Sequence, residues 1–483
     1  MSNKLLKAFH DRIGWELYLK PFIFKKLPSG TGWSATLGSL CALLFGLMVV
    51  TGIFLAMYYN PSPDKAYQSI DYIMNNVPMG SILRGLHHWG GGAMVLIVFM
   101  HLLSSFFSGS YKSPRELTWF SGVCLFVVTL GLGFTGYLLP WDMKAFWATV
   151  VGSNIPKGLP VIGDFITRFI IGGSTVSGFT LTRFYAIHIL LLPSLLAAFA
   201  VFHIYQVRLH GLSEKQDSAI SEQDAQLYRF YPEHTFRSCI VFVVLFLTLI
   251  GLSIFGRIPR EQIAGTILDS YLPRPEWYYM WMFQLLTYFS GPWEGICTLA
   301  IFAVGGSLIF AVPFLGKSKA KGLAGRPLCV AAGVTAIMGI IYLSIIAYAE
   351  IKPYGTVVPV PDRQLTVAEE RGLHVYVDRE CAYCHQIQGR GGRRIGPDLS
   401  NITAKGKDIE ELARYIKNAR AISSWTIMPK YDLPENDLRS LAEFMLSLDF
   451  NKYSMKIVTR EDIVKSVPID RSQSRQSLKN SSL

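Results

Sequence analysis

The sequence predicts an all-α fold: a polytopic bundle of seven transmembrane helices followed by a small helical domain outside the bilayer. Three observations predict it. Of 483 residues, 51% are hydrophobic and only 17% charged, against about 25% charged in a typical soluble domain. Seven stretches reach or approach the roughly 20 apolar residues that cross a bilayer, namely 34–58, 85–107, 118–139, 184–205, 239–255, 293–314 and 328–349. Beyond about residue 350 the chain turns polar. Aromatic content of 13% and the lack of a repeat exclude disorder, coiled coil and collagen.

Residues 1–33 are basic and aromatic, without an apolar core or small-residue cleavage site, and read as a cytoplasmic segment and not a signal peptide. Lys and Arg resist translocation, so loop charge sets orientation. The segments 1–33, 108–117, 206–238 and 315–327 hold 16 basic residues in 89, and the opposite loops hold 9 in 107. The first set is therefore expected inside. The net charge of +12 serves these flanks, so nucleic acid is not expected as a partner. An odd number of spans puts the C-terminal domain outside.

Four histidines fall within spans: His87 and His101 in the second, His188 and His203 in the fourth. Ionisable groups at this depth are functional candidates. At about 100° per residue, His101 returns to within about 40° of His87, whereas the neighbouring His88 points about 140° away. His188 and His203 lie about 60° apart by the same arithmetic. Taken singly, each histidine fits a helix–helix hydrogen bond equally well. Two facing pairs at two depths describe two bis-histidine haems, with irons about 21 Å apart along the normal. Gly38 and Gly52 on the first span, and Gly122 and Gly136 on the third, repeat the fourteen-residue interval. Glycine lets a flat macrocycle approach the backbone, and the same interval also suits ordinary small-residue packing.

Five of seven cysteines (Cys41, Cys124, Cys239, Cys297, Cys329) sit in spans as small core residues. The other two form Cys381-Ala382-Tyr383-Cys384-His385, the attachment pattern of a c-type haem. Two thioethers would fix the vinyl groups and His385 would reach the iron. Met428, before Pro429, supplies a candidate sixth ligand. A zinc half-site and a disulfide are the alternatives, though no second CxxC completes a zinc site. Helical patterns at Val367–Val377 and through Leu438, Leu441, Ala442, Met445 and Leu448 enclose the motif. The expected organisation is therefore 1–33 cytoplasmic, 34–215 a four-helix dihaem part, 216–350 a three-helix part, 351–362 a semi-rigid Pro/Gly spacer, 363–450 a haem domain and 451–483 a disordered polar tail.

At this point residues 10–350 resemble the cytochrome b of quinol–cytochrome c reductases and of the photosynthetic cytochrome complex. The resemblance rests on the four histidines, Gly136-Tyr137-Leu138-Leu139-Pro140-Trp141, Leu181-Thr182-Arg183-Phe184-Tyr185, Pro114-Arg115-Glu116-Leu117 and Pro275-Glu276-Trp277-Tyr278. The fifteen-residue step from His188 to His203 is similar to the photosynthetic and Gram-positive branch. Residues 360–450, with Gly396-Pro397-Asp398-Leu399, resemble a class I cytochrome c.

The resemblance implies quinol oxidation at an outer pocket walled by the loops that carry Pro140-Trp141 and Pro275–Tyr278. Glu276 is the candidate proton acceptor, since burial makes a carboxylate a usable base near neutral pH. Alone, the Pro-Glu-Trp-Tyr string could be an aromatic anchor at the interface. Tyr278 and Tyr137 are candidate pocket linings. Arg84 and Arg183 border the outer ligands and either pair with haem propionates or meet lipid headgroups. Inside, Arg208 and His210 are candidate quinone contacts or a basic flank. Thr36 stands where that branch carries a cysteine for an extra haem, with Cys41 five residues on. By resemblance one electron goes through a separate Rieske 2Fe–2S protein to the c haem and one crosses through the b haems to the quinone pool. The resemblance further implies a homodimeric complex in a bacterial inner membrane, feeding a downstream cytochrome c or terminal oxidase. Two rival readings are a dihaem membrane anchor for a periplasmic dehydrogenase and a haem-based sensor.

Overall fold

A segment that enters hydrocarbon must satisfy every backbone N–H and C=O within itself, and the apolar stretches do so as helices. Among the described residues of the computed structural model six are long and apolar enough to cross a membrane: Trp33–Ala56, Gly80–Ser108, Glu116–Tyr137, Gly178–His210, Phe230–Phe255 and Pro327–Ala349. The described residues comprise most of 20–349 and 357–463. Residues 1–9, 28–31, 213–227, 265–274, 290–293, 316–321, 350–356, 392–397, 423–427 and 464–483, with scattered shorter runs, lie outside them. The tail expected beyond 463, and Gly396, Pro397 and Pro429, therefore fall outside the described residues.

The expectation of seven full spans is met by six and a shorter one. The stretch at 293–314 forms an apolar helix whose apolar part is Leu299–Phe314, and Pro313 turns its inner end into a 3-10 turn, Val312–Phe314. The fifth span starts at Phe230 and not at 239, because polar Glu233, His234 and Thr235 continue the helical path past the apolar strip. A second difference concerns the stretch 140–183, expected as a connecting loop between the third and fourth spans. It holds helices Met143–Lys157 and Gly163–Ile171. Its glycines and prolines punctuate the ends of these helices more than their interiors.

Contacts divide the chain into two compact units, one of Met1–Ser153, Asp164–Gly265 and Leu299–Ile341, the other of Asn154–Gly163, Thr266–Thr298 and Tyr342–Leu483. In the first, the second span packs on the first, third and fifth, and the third packs on the fourth. Leu40, Leu44, Leu86, Met94, Ile97, Leu196 and Leu249 interlock between them. The outward face keeps Val50, Val127, Val201 and Phe255 exposed, as lipid contact requires.

Two local devices position the histidines. Gly109 ends the second span in the left-handed region (φ 71°). Buried Arg326 then covers the last carbonyls, donating from Nη1 to Phe106 O (3.0 Å) and from Nη2 to Phe107 O (2.6 Å). In the fourth span Pro193 removes a backbone donor, and the ladder adapts through a π-turn over Ile187–Leu191, where Leu192 N–H bonds to Ile187 O. His188 sits on that widened turn.

In the second unit, helices Val367–Asp378 and Glu435–Ser447 cross at Gly372, where a Cβ would lie 1.9 Å from Ser440 O. Thr366 and Glu369 form a reciprocal cap at the first helix (2.9 and 3.1 Å). Tyr376, Phe444, Leu438, Leu441, Leu412 and Ile416 fill the core. The spacer expected over 351–362 and the tail expected from 451 are partly ordered: Val357–Pro361 pairs antiparallel with Met455–Thr459. Val358 and Val360 join the core of the domain, so this two-stranded ribbon closes it.

Candidate redox centres

The second and fourth spans bring the four histidines together as two pairs. The rings of His87 and His188 lie 6.3 Å apart at 75°, and those of His101 and His203 lie 6.4 Å apart at 80°. Two imidazole nitrogens, each about 2.0 Å from one metal ion, would hold their ring centroids about 6 Å apart. The gap between each pair therefore fits one iron ligated from both sides.

Each ring rests on a glycine of an adjoining helix. A Cβ built on Gly52 would meet His87 Cε1 at 3.2 Å, on Gly38 His101 Cε1 at 3.4 Å, on Gly122 His203 Cε1 at 3.3 Å and on Gly136 His188 Cε1 at 2.5 Å. The sequence placed a macrocycle against these glycines. The edge of an imidazole lies 2.5–3.4 Å from where a Cβ would stand on each.

Sequence reasoning missed the hydroxyls beside these glycines. Thr51 Oγ1 lies 2.9 Å from His87 Nδ1, Ser121 Oγ 2.8 Å from His203 Nδ1, and Thr135 Oγ1 3.2 Å from His188 Nδ1. Each hydroxyl donates its own proton to a carbonyl of the preceding turn, Leu47 O (2.8 Å), Thr118 O (3.0 Å) and Gly131 O (2.9 Å). The oxygen is then an acceptor for Nδ1–H, which fixes the tautomer and leaves the Nε2 lone pair for a metal. The signal was legible: each hydroxyl residue immediately precedes its glycine, as Thr51-Gly52, Ser121-Gly122 and Thr135-Gly136. At the fourth site Leu37 takes that place.

Of the two arginines beside the outer pair, Arg84 is buried and donates to Met74 Sδ (3.5 Å). Arg183 is held instead by Phe169 O and lies against Gly172, where a Cβ would stand 2.8 Å from its Nε. Arg208 stacks on Phe230 (4.2 Å) and Lys25 donates to Arg208 O. Burial, with Arg208 adding, lowers the Lys25 ammonium below its ordinary range. His210 ends the fourth span, its carbonyl accepting from Arg115. His234, absent from the sequence candidates, is buried and lies 3.3 Å from Ser39 Oγ, next to the Gly38 seat. Thr36 spends its hydroxyl on Trp33 O (2.7 Å), and Cys41 packs at the margin of the bundle core.

In the second unit Glu276 is extended and half-buried, and its carbonyl accepts from Tyr279 N (2.8 Å) to open the turn Trp277–Tyr279 and the helix Met280–Leu286. Burial pushes the Tyr278 phenol well above its ordinary range, with Tyr279 and Glu276 adding to it. Cys381–Cys384 forms one helical turn, and His385 N–H bonds to Cys381 O (3.0 Å). Cys381 and Met428, the candidate anchor and candidate sixth ligand, both pack against the core of this domain.

A helical membrane bundle with paired intramembrane histidines, joined to a CxxCH domain, defines a membrane-bound electron carrier. Three family models match: cytochrome b/b6/petB over residues 25–211, cytochrome b(C-terminal)/b6/petD over 273–360 and cytochrome c over 369–449. The chain belongs to the cytochrome b/b6 family and carries a C-terminal cytochrome c domain. It is 35% identical over 289 residues to the cytochrome bc complex cytochrome b subunit of Chlorobaculum thiosulfatiphilum, covering 59% of this chain and 66% of that one. The cytochrome b subunit of the Bacillus subtilis menaquinol:cytochrome c reductase is 46% identical over 177 residues, 36% of this chain and 79% of that one. Cytochrome b6 of Synechococcus is 37% identical over 212 residues, 44% and 97% respectively. Among solved structures, a hyperthermophilic respiratory complex III matches with a TM-score of 0.64 at 25% identity, over 71% of this chain and 91% of that one. The two families imply haem cofactors and membership of a bc-type oxidoreductase complex in a membrane.

Proposed function

We propose that the chain is the dihaem cytochrome b subunit, fused to its cytochrome c, of a quinol–cytochrome c oxidoreductase that oxidises quinol at an outer site and contributes to a proton gradient. The observation that carries the reading is the arrangement of two imidazole pairs at two depths between the same two helices, each pair separated by 6.3–6.4 Å. Haem bound there supplies one-electron chemistry. The chain's own part is to hold it: His87/His188 and His101/His203 from both faces, with Gly52, Gly136, Gly38 and Gly122 as seats. Arg84 and Arg183 are assigned to the propionate side of the outer centre. Cys381 and Cys384 would form the thioethers of the third haem, and His385 and Met428 would hold its iron.

Glu276 accepts a proton at its carboxylate from the quinol hydroxyl, and Tyr278 lines the headgroup site. Partners are a separate Rieske 2Fe–2S protein, the quinone pool and a downstream cytochrome c or terminal oxidase, in a homodimeric assembly. The basic loops stay in a bacterial cytoplasm and the cytochrome c domain faces the outer side of the inner membrane. A reduced-minus-oxidised spectrum of the purified chain should give b and c bands in about a 2:1 ratio. Glu276→Gln should abolish quinol oxidation while leaving that spectrum intact. Equal b and c content, or undiminished turnover in the variant, overturns the reading; the second result favours the dehydrogenase anchor.

A further inference from the structure

We propose that Asp142 is a positioning residue for quinol oxidation: its buried carboxylate clasps the outer segment 260–264 onto the chain segment that backs the outer histidine pair. The proposal rests on the functional reading above. Asp142 is 6% exposed. Its Oδ1 accepts from Ala145 N (2.9 Å), capping helix Met143–Lys157, and its Oδ2 accepts from Glu261 N (3.3 Å). Around it the two segments pair like short strands, through an Asp142–Ile263 bridge, Met143 N to Gln262 O (2.8 Å) and Ala264 N to Trp141 O (2.9 Å).

The clasp is tied on both sides. Trp141 is buried with Leu138, Leu181 and Phe184 in the cluster that follows Gly136, the seat of His188. On the other flank Tyr67 donates to Glu261 O (2.9 Å), and Arg260 pairs with Asp71 and stacks on Tyr67 (4.2 Å). Segment 260–264 thus spans from the first outer loop to the second.

The two backbone N–H groups meet different oxygens of the side chain; a carboxylate offers an acceptor at both positions, whereas an amide puts an NH2 donor at one of them. The charged groups around the carboxyl are Arg84 from the second span, Lys144 on its own helix and Arg260 and Glu261 on the clasped segment. Burial raises the carboxyl above its ordinary range, and the two backbone bonds, Lys144 and Arg84 oppose it only in part. Acid therefore protonates Asp142 at a higher pH than a surface carboxylate, and the protonated form resembles the amide.

The test is made on the full chain in its complex. Asp142→Asn should speed amide exchange at Glu261 by about ten-fold, the value of one lost hydrogen bond, at unchanged b haem content. It should raise KM for a quinol more than it lowers kcat, and change the acid limb of the wild-type pH profile, leaving the part that protonation of Glu276 sets. Asp142→Glu should restore part of both. Unchanged exchange in Asp142→Asn overturns the clasp. Faster exchange with an unaltered KM and pH profile makes Asp142 merely structural and overturns the positioning role. Wild-type chain that never turns over quinol sinks the functional reading, while the exchange experiment, which needs no quinol, still reports on the clasp.

Discussion

Replacing Gly136 by Ala tests the seats directly. The new Cβ would stand 2.5 Å from His188 Cε1, 3.1 Å from Nδ1 and 3.2 Å from Nε2. Carbon atoms reach their attractive optimum at about 3.5–4.0 Å, so the ring must retreat by about 1 Å. It cannot swing freely, because Thr135 Oγ1 holds Nδ1 at 3.2 Å and the π-turn fixes the backbone. Overpacking of this kind costs about 1–3 kcal/mol, and a metal–ligand distance tolerates only about 0.2 Å. Gly136→Ala should therefore lose one of two b haems by pyridine haemochrome assay, with the c haem as internal standard. Gly38→Ala is the control: its Cβ would sit 3.4 Å from His101 Cε1, an ordinary contact, and both b haems should remain. Retention of both in Gly136→Ala, or equal loss in the two variants, would refute the steric argument.

Thr51→Val keeps the shape and removes the acceptor for His87 Nδ1–H; haem affinity at the outer pair should fall about 10–100-fold, read by haem loss to apomyoglobin. Gly372→Ala drives a Cβ to 1.9 Å from Ser440 O, where backbone cannot yield, and should lower stability of the cytochrome c domain by about 3 kcal/mol in chemical denaturation followed at the c band. Glu369 is chelated by Arg363, Nη1 to Oε2 at 2.7 Å and Nη2 to Oε1 at 2.6 Å. The Arg363 hydrogen bonds, then Thr366, hold its carboxyl below the ordinary range, against a partial opposing effect of burial. A lowered carboxylate contributes stability that is complete above the unfolded value of about 4.3 and vanishes as pH falls through the folded value. Thermal melts of the c band should thus separate wild type from Glu369→Gln at pH 7 and converge toward pH 3.

The spans were legible because hydrocarbon imposes one rule on every residue, and the error in them arose where that rule stops. Glu233, His234 and Thr235 continue the fifth helix although they are polar, since an interfacial helix end needs hydrogen bonds more than apolar side chains. The ribbon of Val357–Pro361 with Met455–Thr459 was hidden for another reason. Its strands lie about a hundred residues apart, and five residues rich in Val and Pro read alone as a spacer; only the partner, distant in sequence, gives them a sheet. The helices inside 140–183 were obscured by Gly and Pro at their boundaries, which suggested loop throughout.

The histidine sites show why ligands are easier to read than their supports. A histidine in a membrane is costly anywhere, so its presence alone is informative, and helical periodicity sorts His87 from His88. The supports are common residues, and only their order carries information. A hydroxyl residue followed by glycine places an acceptor beside Nδ1 and an open seat beneath the ring, two separate services from neighbouring positions on one helix. All four sites keep the glycine, but only three keep the hydroxyl, with Leu37 at the fourth. At Gly136 the seat is fixed by sterics, since even a Cβ there would stand 2.5 Å from the ring. Tautomer control is instead a matter of hydrogen-bond chemistry, which more than one kind of acceptor can supply. Thr51, Ser121 and Thr135 are accordingly where ligand basicity can be tuned by substitution, and Gly136 is where it cannot.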